Sequence, residues 1–380
     1  MTARIAFYAP LKPPDHPIPS GDREIARLMM AALRRARYDV ELSSRFISYQ
    51  KRPSSEIFAQ RRAEGEAAAA AILARLRSLD PTRRPRLWFT YHPYCKAPDW
   101  LGPRISKALD IPYVTAEACR TRQDSDADWA EGRNSVRSAI RHATVNFCLK
   151  PSDRAYLTEI LPSLDRVRAL APFLDLDALP PRNASSTEGP VPTIVAAGMM
   201  RPGKKEACFL ILADALKRIE QLPWRLVLIG DGPARPRIEA AFSSFSAERL
   251  EWTGALSHDD VIAAFDRADL LAWPGYREPI GMVYLEAAAR GLPVAAFSSL
   301  GVPLVVEDGT TGLLTPEGDI DAYALALHRL VSDSDLRRRL GAAGRDFVRE
   351  KHDIRTASET MRTAIDPLLV HSHPEGTCAN

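Results

Sequence analysis

Cysteine is scarce in this chain of 380 residues: there are five, at 95, 119, 148, 208 and 378, with no CxxC pair. That pattern leaves neither a disulfide framework nor a zinc spacing, and it fits a reducing compartment. No apolar run approaches the roughly 20 residues a bilayer span needs. The opening MTARIAFYAP lacks the basic, apolar and small-residue order of a secretory signal, so a cytoplasmic protein is expected. An excess of one charge is also missing. Lys+Arg number 51 and Asp+Glu 48, a net +3, which argues against nucleic acid as the main partner. No GxGxxG follows a strand-like segment, and GxxxxGK[ST] does not occur, so neither a bound dinucleotide nor P-loop chemistry is expected.

What remains is ordinary globular material, 46% hydrophobic and 26% charged, long enough for two cores. Short β-rich runs alternate with helical stretches. Arg4–Ala9, Tyr38–Leu42, Leu87–Tyr91, Pro112–Thr115 and Thr144–Leu149 read as strands, with helices over Gly21–Arg37, Ser55–Leu79 and Gly102–Asp110. Leu179–Pro192 is rich in Pro and Ser and reads as a linker. The alternation then restarts. Strands are expected over Thr193–Gly198, Trp224–Gly230, Leu250–Thr253, Asp269–Trp273 and Pro293–Phe297. Helices are expected over Lys204–Ile219, Ala234–Ala241, Ser257–Arg267, Ile320–Val331 and Asp335–Arg349, and the tail stays helical to about Pro367. Such alternation implies an α/β protein of two doubly wound parallel sheets, covered on both faces. Ligands in such sheets bind outside the carboxyl ends of strands.

The informative stretch is Trp273–Leu314, WPGYREPIGMVYLEAAARGLPVAAFSSLGVPLVVEDGTTGLL. A strand ends in a loop carrying Glu278, and a helix begins near Ile280, carries Glu286 and stops at Gly291. Backbone amides near Gly281 and Met282 form a helix N-terminus suited to an anion. Carboxylates for sugar and ribose hydroxyls beside amides for a diphosphate suit a sugar-nucleotide. Taken singly, Glu278 could equally be a first-turn charge and Glu286 a solvated helix face. Gly230-Asp-Gly232-Pro reads as a plain tight turn.

Glu278 and Glu286 bracket seven residues, and the run EPIGMVYLEAAARGLPV resembles the EX7E signature of GT4 retaining glycosyltransferases. Gly301-Val-Pro and Glu307–Leu314 resemble that family's diphosphate loop and the turn after it. Gly198-Met-Met-Arg-Pro-Gly-Lys204-Lys205 resembles its G-R-L-x-x-x-K-G phosphate segment, and Ser20-Gly21 its first glycine-rich loop. The resemblance is strongest over about Val191–Arg349.

It implies the GT-B fold, two facing Rossmann-like domains with a C-terminal helix returning to the first. The expected organisation is an acceptor domain at 1–178 joined by 351–370, a linker at 179–192, and a donor domain at 193–350. The resemblance also implies transfer of a sugar from a nucleoside-diphosphate sugar to a hydroxyl of a glycan or glycolipid. Glu278 would hold donor-sugar hydroxyls, Glu286 the ribose hydroxyls, and Lys204 the leaving diphosphate. Gly21, Gly198, Gly281, Met282 and Gly301 would line the donor site. On the acceptor side stand His92 and Glu117, the latter where the family commonly has a histidine. Neither cofactor nor metal is expected. A nucleotide-sugar 2-epimerase or a non-catalytic nucleotide-sugar-binding protein of the same fold are the alternatives.

The chain departs from the family pattern at Met199, where an arginine is usual, at Leu300, where a glycine is usual, and at Leu304, where an acid is usual. Asp126-Ala-Asp128, Asp175-Leu-Asp177 and Asp333-Ser-Asp335 read as turn, crossover and helix-start acids instead of metal-binding DxD motifs. His371-Ser-His373 and the sequon Asn183-Ala-Ser185 carry no function in this reading. Arg34–Arg37 and Arg83–Arg86 are solvated faces or a peripheral contact with anionic lipid headgroups. The aromatics of Tyr91–Trp100 are either a sugar-stacking platform or core.

Overall fold

The computed structural model describes residues 2–18, 20–120, 127–182, 189 and 191–370. Asp126, the sequon at 183–185, His371, His373 and Cys378 lie outside the described residues, as does part of the 179–192 stretch. Two compact units form, Met1–Ala171 with Ile354–Asn380, and Pro172–Asp353.

The first unit alternates β1 (Arg4–Tyr8), α1 (Gly21–Arg35), β2 (Asp39–Leu42), α2 (Ser55–Ser78), β3 (Leu87–Tyr91) and α3 (Gly102–Leu109). It continues through β4 (Tyr113–Ala116), α4 (Ala130–His142), β5 (Val145–Cys148), α5 (Pro151–Ile160) and β6 (Val167–Ala169). The sheet order is β2-β1-β3-β4-β5-β6, every pair parallel. Strands β3, β4 and β5 are buried along their whole length, as expected where helices cover both faces. The direction of winding reverses between β1 and β3.

The second unit runs β7 (Thr193–Ala197), α6 (Lys204–Lys217), β8 (Arg225–Ile229), α7 (Arg235–Phe242), β9 (Leu250–Gly254) and α8 (His258–Asp266). Then come β10 (Leu270–Ala272), α9 (Met282–Arg290), β11 (Val294–Ser298), β12 (Gly312–Pro316), α10 (Ile320–Ser332) and α11 (Ser334–Lys351). Its order is β12-β11-β10-β7-β8-β9, again all parallel, so the reversal falls between β7 and β10. The last helix, α12 (Ile354–Val370), belongs to the first unit, where it packs on α1. Tyr38 Oη donates to Asp366 Oδ1 at 2.6 Å, tying the helix down.

Local chemistry explains most element ends. Ser20, Ser54, Ser257, Asp319 and Asp333 each cap a helix by accepting a backbone N–H three residues on. Asp333 is thus a helix-start acid. The aromatics after β3 belong to the core: Tyr91 is buried, and Tyr94 and Trp100 pack against Phe58, Cys95 and Trp129. Asp99 organises that region. Its carboxylate accepts from Thr90 Oγ1 (2.6 Å), Tyr113 Oη (2.9 Å) and the Gly102 amide (2.7 Å), fastening α3 to the sheet. The basic clusters spend several guanidiniums locally. Arg34 donates to Val40 O, Arg84 to Leu79 O and Arg77 O, and Arg86 to Leu369 O. The Gly230–Gly232 turn is more than a plain turn. A Cβ on Gly230 would stand 2.0 Å from Gly198 O, so the turn is the seat on which the loop after β7 rests.

Candidate functional site

In the second unit the chain leaves β7 through Gly198–Gly203 into α6, and leaves β10 through Trp273–Gly281 into α9. Both loops spring from the carboxyl ends of adjacent strands at the reversal point, where doubly wound sheets open a crevice. The two lysines opening α6 reach the neighbouring loop. Lys205 Nζ stands 2.6 Å from Glu278 Oε2, and Lys204 Nζ donates to Arg277 O at 3.2 Å. Below them lies Trp273, fully buried, with the Lys205 ammonium 5.3 Å from the ring centre and Phe209 edge-on at 5.0 Å. Tyr284 Oη donates to Trp273 O at 3.0 Å, fixing the end of β10 from inside α9. Cys208 offers no nucleophile here, because burial pushes its thiol up to about 11.

The α9 helix starts two residues after the expected start near Ile280: Gly281, at φ 81°, is its N-cap and Met282 its first residue. Glu286 is the fifth residue of α9, half-buried, with Oε1 3.2 Å from His258 Nε2 at the start of α8. Glu278 and Glu286 therefore both face a basic side chain, Lys205 and His258 respectively.

Two of the expected glycines are demanded by the protein's own packing. A Cβ on Gly198 would lie 2.6 Å from the Trp273 ring, and one on Gly301 would lie 1.8 Å from Pro279 O. Gly301 also donates its N–H to Glu278 O at 3.2 Å, so its part is to bring the loop after β11 against the Glu278 loop. Gly21 differs: a Cβ there would meet nothing within 4 Å, leaving open space over the start of α1.

Backbone strain collects at the same loops. Arg277 (φ 54°) and Leu300 (φ 42°) hold left-handed conformations that non-glycine residues seldom adopt. The Arg277 N–H is accepted by Ser299 Oγ at 3.0 Å, and Ser299 in turn bonds Glu317, which pins the turn. Leu300 is 68% exposed, an apolar side chain in a glycine-like conformation beside the site. Leu304 ends a single 3-10 turn that begins at Val302, after Gly301.

A second cluster occupies the reversal point of the first unit. His92, just past β3, places Nδ1 3.3 Å from Asp22 Oδ1 in the first turn of α1, and Nε2 3.5 Å from Cys119 Sγ. Glu117, just past β4, accepts from Tyr91 Oη at 2.9 Å and from Lys150 Nζ at 2.7 Å. Lys150 also pairs with Asp153 at 2.9 Å. His92 (φ 57°) and Glu117 (φ 56°) are both left-handed, so four of the six non-glycine residues of positive φ found among the described residues follow a reversal strand, as His92 and Arg277 do, or the strand beside it, as Glu117 and Leu300 do. Burial opposes charge on the imidazole, yet Glu117, Cys119 and Asp22 outweigh it and raise His92 well above its ordinary range. Burial likewise opposes charge on Glu117, but His92 and Lys150 hold it below the usual carboxylate range. Burial pushes Asp153 up to about 6 despite Lys150.

The structure thus brings Lys204, Glu278, Gly198, Gly281, Met282 and Gly301 together at the strand ends of the second unit, with Glu286 on the helix behind, and brings His92, Glu117 and the start of α1 together at those of the first. Sequence reasoning missed Asp22, Cys119, Lys150, Asp153, Trp273 and His258. Lys150 and Cys119 follow strand ends, a position that marks candidates in this fold class. Among the described residues no group of three or more His, Cys, Asp or Glu is placed to hold a metal ion. No helix among them is long and apolar enough to cross a membrane.

Residues 191–333 match the family model described as glycosyl transferases group 1. The chain is 34% identical over 141 residues to the sulfoquinovosyl transferase SQD2 of Arabidopsis thaliana, covering 36% of this chain and 27% of that protein. It is 29% identical over 248 residues to alpha-D-kanosaminyltransferase of Streptomyces kanamyceticus, covering 63% of each. The alignments thus span less than two thirds of both relatives. Among solved structures, HepE of Anabaena in complex with UDP superposes with a TM-score of 0.72 at 16% identity, covering 96% of this chain and all of that one. The fold is GT-B, with two Rossmann-like domains.

Proposed function

The chain belongs to the group 1 glycosyltransferases of GT4 type, and on that premise we propose that it moves a sugar from a nucleoside-diphosphate sugar to a hydroxyl acceptor, a glycan or glycolipid, with retention at the anomeric carbon. The observation that carries this reading is the β7/β10 reversal, where Lys204 and Lys205 at the start of α6 reach Arg277 O and the Glu278 carboxylate on the next loop. Glu278 accepts hydroxyls of the donor sugar and Glu286 those of the ribose, while the first amides of α9 take the diphosphate. Lys204 and the helix dipole neutralise the charge that builds as the sugar–phosphate bond breaks. The acceptor oxygen attacks the same face of the sugar, and its proton passes to the departing phosphate oxygen. No protein base is needed for that step, and no metal is called upon.

The second unit, roughly 193–350, is then the donor domain, and the first, 1–178 with 351–370, the acceptor domain. His92 and Glu117 stand on the acceptor side, and Gly21 leaves room for a ligand over α1. UDP is bound by the similar HepE, and it is the first nucleotide to try. Incubation with UDP-, GDP- and ADP-sugars and a panel of glycans and glycolipids, followed by NMR of any product, tests the proposal. A new glycoside with the donor's anomeric configuration supports it, and an inverted product or a free epimer of the donor would sink it. Binding of donor without transfer to any acceptor would favour a non-catalytic binder, the reading that Met199, Leu300 and Leu304 support.

A further inference from the structure

Glu278 has a cation in reach, and that cation is Lys205, at a position the family pattern fills with glycine. In the family pattern the segment after β7 carries an arginine at the place of Met199, a lysine at the place of Lys204 and a glycine at the place of Lys205. Here the ammonium of Lys204 rests on a backbone carbonyl at the exposed lip, 3.2 Å from Arg277 O. Lys205 reaches inward. Its Nζ stands 2.6 Å from Glu278 Oε2 and lies over the buried Trp273 ring, 5.3 Å from its centre. Against that pattern the chain lacks a positive charge at 199, in the loop after β7, and carries one at 205, at the start of α6 which that loop feeds.

We propose that Lys205 is a second cation of the donor's diphosphate site, replacing the one absent at 199, and that it holds Glu278 in the orientation that receives the donor sugar. This rests on the reading of the crevice as a donor site. An ammonium has three N–H donors, and one goes to Glu278. The others are available to phosphate oxygens that enter beside the carboxylate. The Trp273 face keeps the ammonium over the crevice, since a cation is drawn to an indole ring in this geometry. The pair opens to solvent on the lysine side, with the lysine side chain 33% exposed and that of Glu278 14%, so a ligand can reach the ammonium.

The test titrates UDP, GDP and ADP, and the matching nucleosides, into the intact wild type, Lys205→Met and Lys205→Arg, with melting of each ligand-free protein as the folding control. The expected result is that Lys205→Met weakens the diphosphate about tenfold or more. Nucleoside affinity and ligand-free melting stay put, and Lys205→Arg recovers part of the loss. Adding Met199→Arg to Lys205→Met should restore diphosphate affinity, because it returns the charge to its usual place. Should Lys205→Met fail to fold, Lys205→Gln carries the same comparison. A variant that binds the diphosphate as the wild type does, or loses nucleoside and diphosphate equally, overturns the proposal. A wild type that binds no nucleoside diphosphate overturns the donor-site reading and this inference with it.

Discussion

The two reversal points are built from the same fold and the same residue types, yet they solve different problems. In the first unit the charges neutralise one another. Lys150 lies between Glu117 and Asp153, all three nearly buried, and His92 is held between Asp22 and Cys119. In the second unit the carboxylates are half-open, and each faces one basic side chain that is more exposed than itself. A closed network of buried ions costs desolvation and repays it only while complete. An open pair gives up little when a ligand parts it. The difference separates a cluster that shapes its own unit from one arranged to be interrupted.

Substitutions sharpen that contrast. The largest effect is expected from Glu117→Ala, which strands Lys150 and Tyr91 in a buried setting. Unfolding in denaturant should show a loss of about 3–5 kcal/mol. Glu278→Gln should leave unfolding within about 1 kcal/mol of wild type, while turnover falls about a hundredfold as transition-state stabilisation is lost. Equal damage to stability at both positions would erase the distinction.

Packing at the second site comes next. Gly198→Ala forces a Cβ to within 2.6 Å of the Trp273 ring. Overpacking of this kind should cost about 1–3 kcal/mol, and it should weaken nucleotide binding because the ring supports Lys205. Calorimetry on the variant reads both.

The pH dependence of stability belongs to the first unit. His92 is raised when folded, so its contribution is complete below its unfolded value near 6.5 and is lost as pH climbs through the raised folded value. Glu117 is lowered, so its contribution is present above its ordinary value of about 4.3 and is lost as pH falls through the depressed one. Stability should therefore decline on both sides, and His92→Gln should flatten the alkaline limb and also weaken the acid limb, because His92 is one of the charges that hold Glu117 down. The smallest effect is expected at Leu300. Its left-handed backbone suits glycine, so Leu300→Gly should gain roughly 0.5 kcal/mol after the entropy of the added glycine is set against the strain released.

The same contrast governs how much the sequence revealed. The second site is carried by one contiguous stretch, in which Glu278, Gly281 and Glu286 follow a single strand, so spacing alone places them. The first cluster draws on α1 and on the ends of β3, β4 and β5, and its members meet only once strand order is known. Gly281 and Gly291 cap α9 as glycine chemistry suggests. Helices α4 and α5 and strands β6 and β12 escaped notice. β6 is three residues at a sheet edge with only Val167 buried. β12 opens on Gly312 after a turn and reads as that turn's continuation, although it pairs with β11 over five residues. Arg201 and Lys205 are both candidates to replace the cation missing at Met199, and sequence cannot show which of them reaches the site; in the structure Lys205 meets Glu278.

The account stands or falls on whether the second site takes a nucleoside diphosphate. A thermal-shift titration of UDP, GDP and ADP against wild type, Glu286→Ala and Lys204→Ala tests it directly. One nucleotide should raise the melting temperature of the wild type by mass action, with the shift blunted in both variants. No shift with any of the three, or an undiminished shift in both variants, would contradict it.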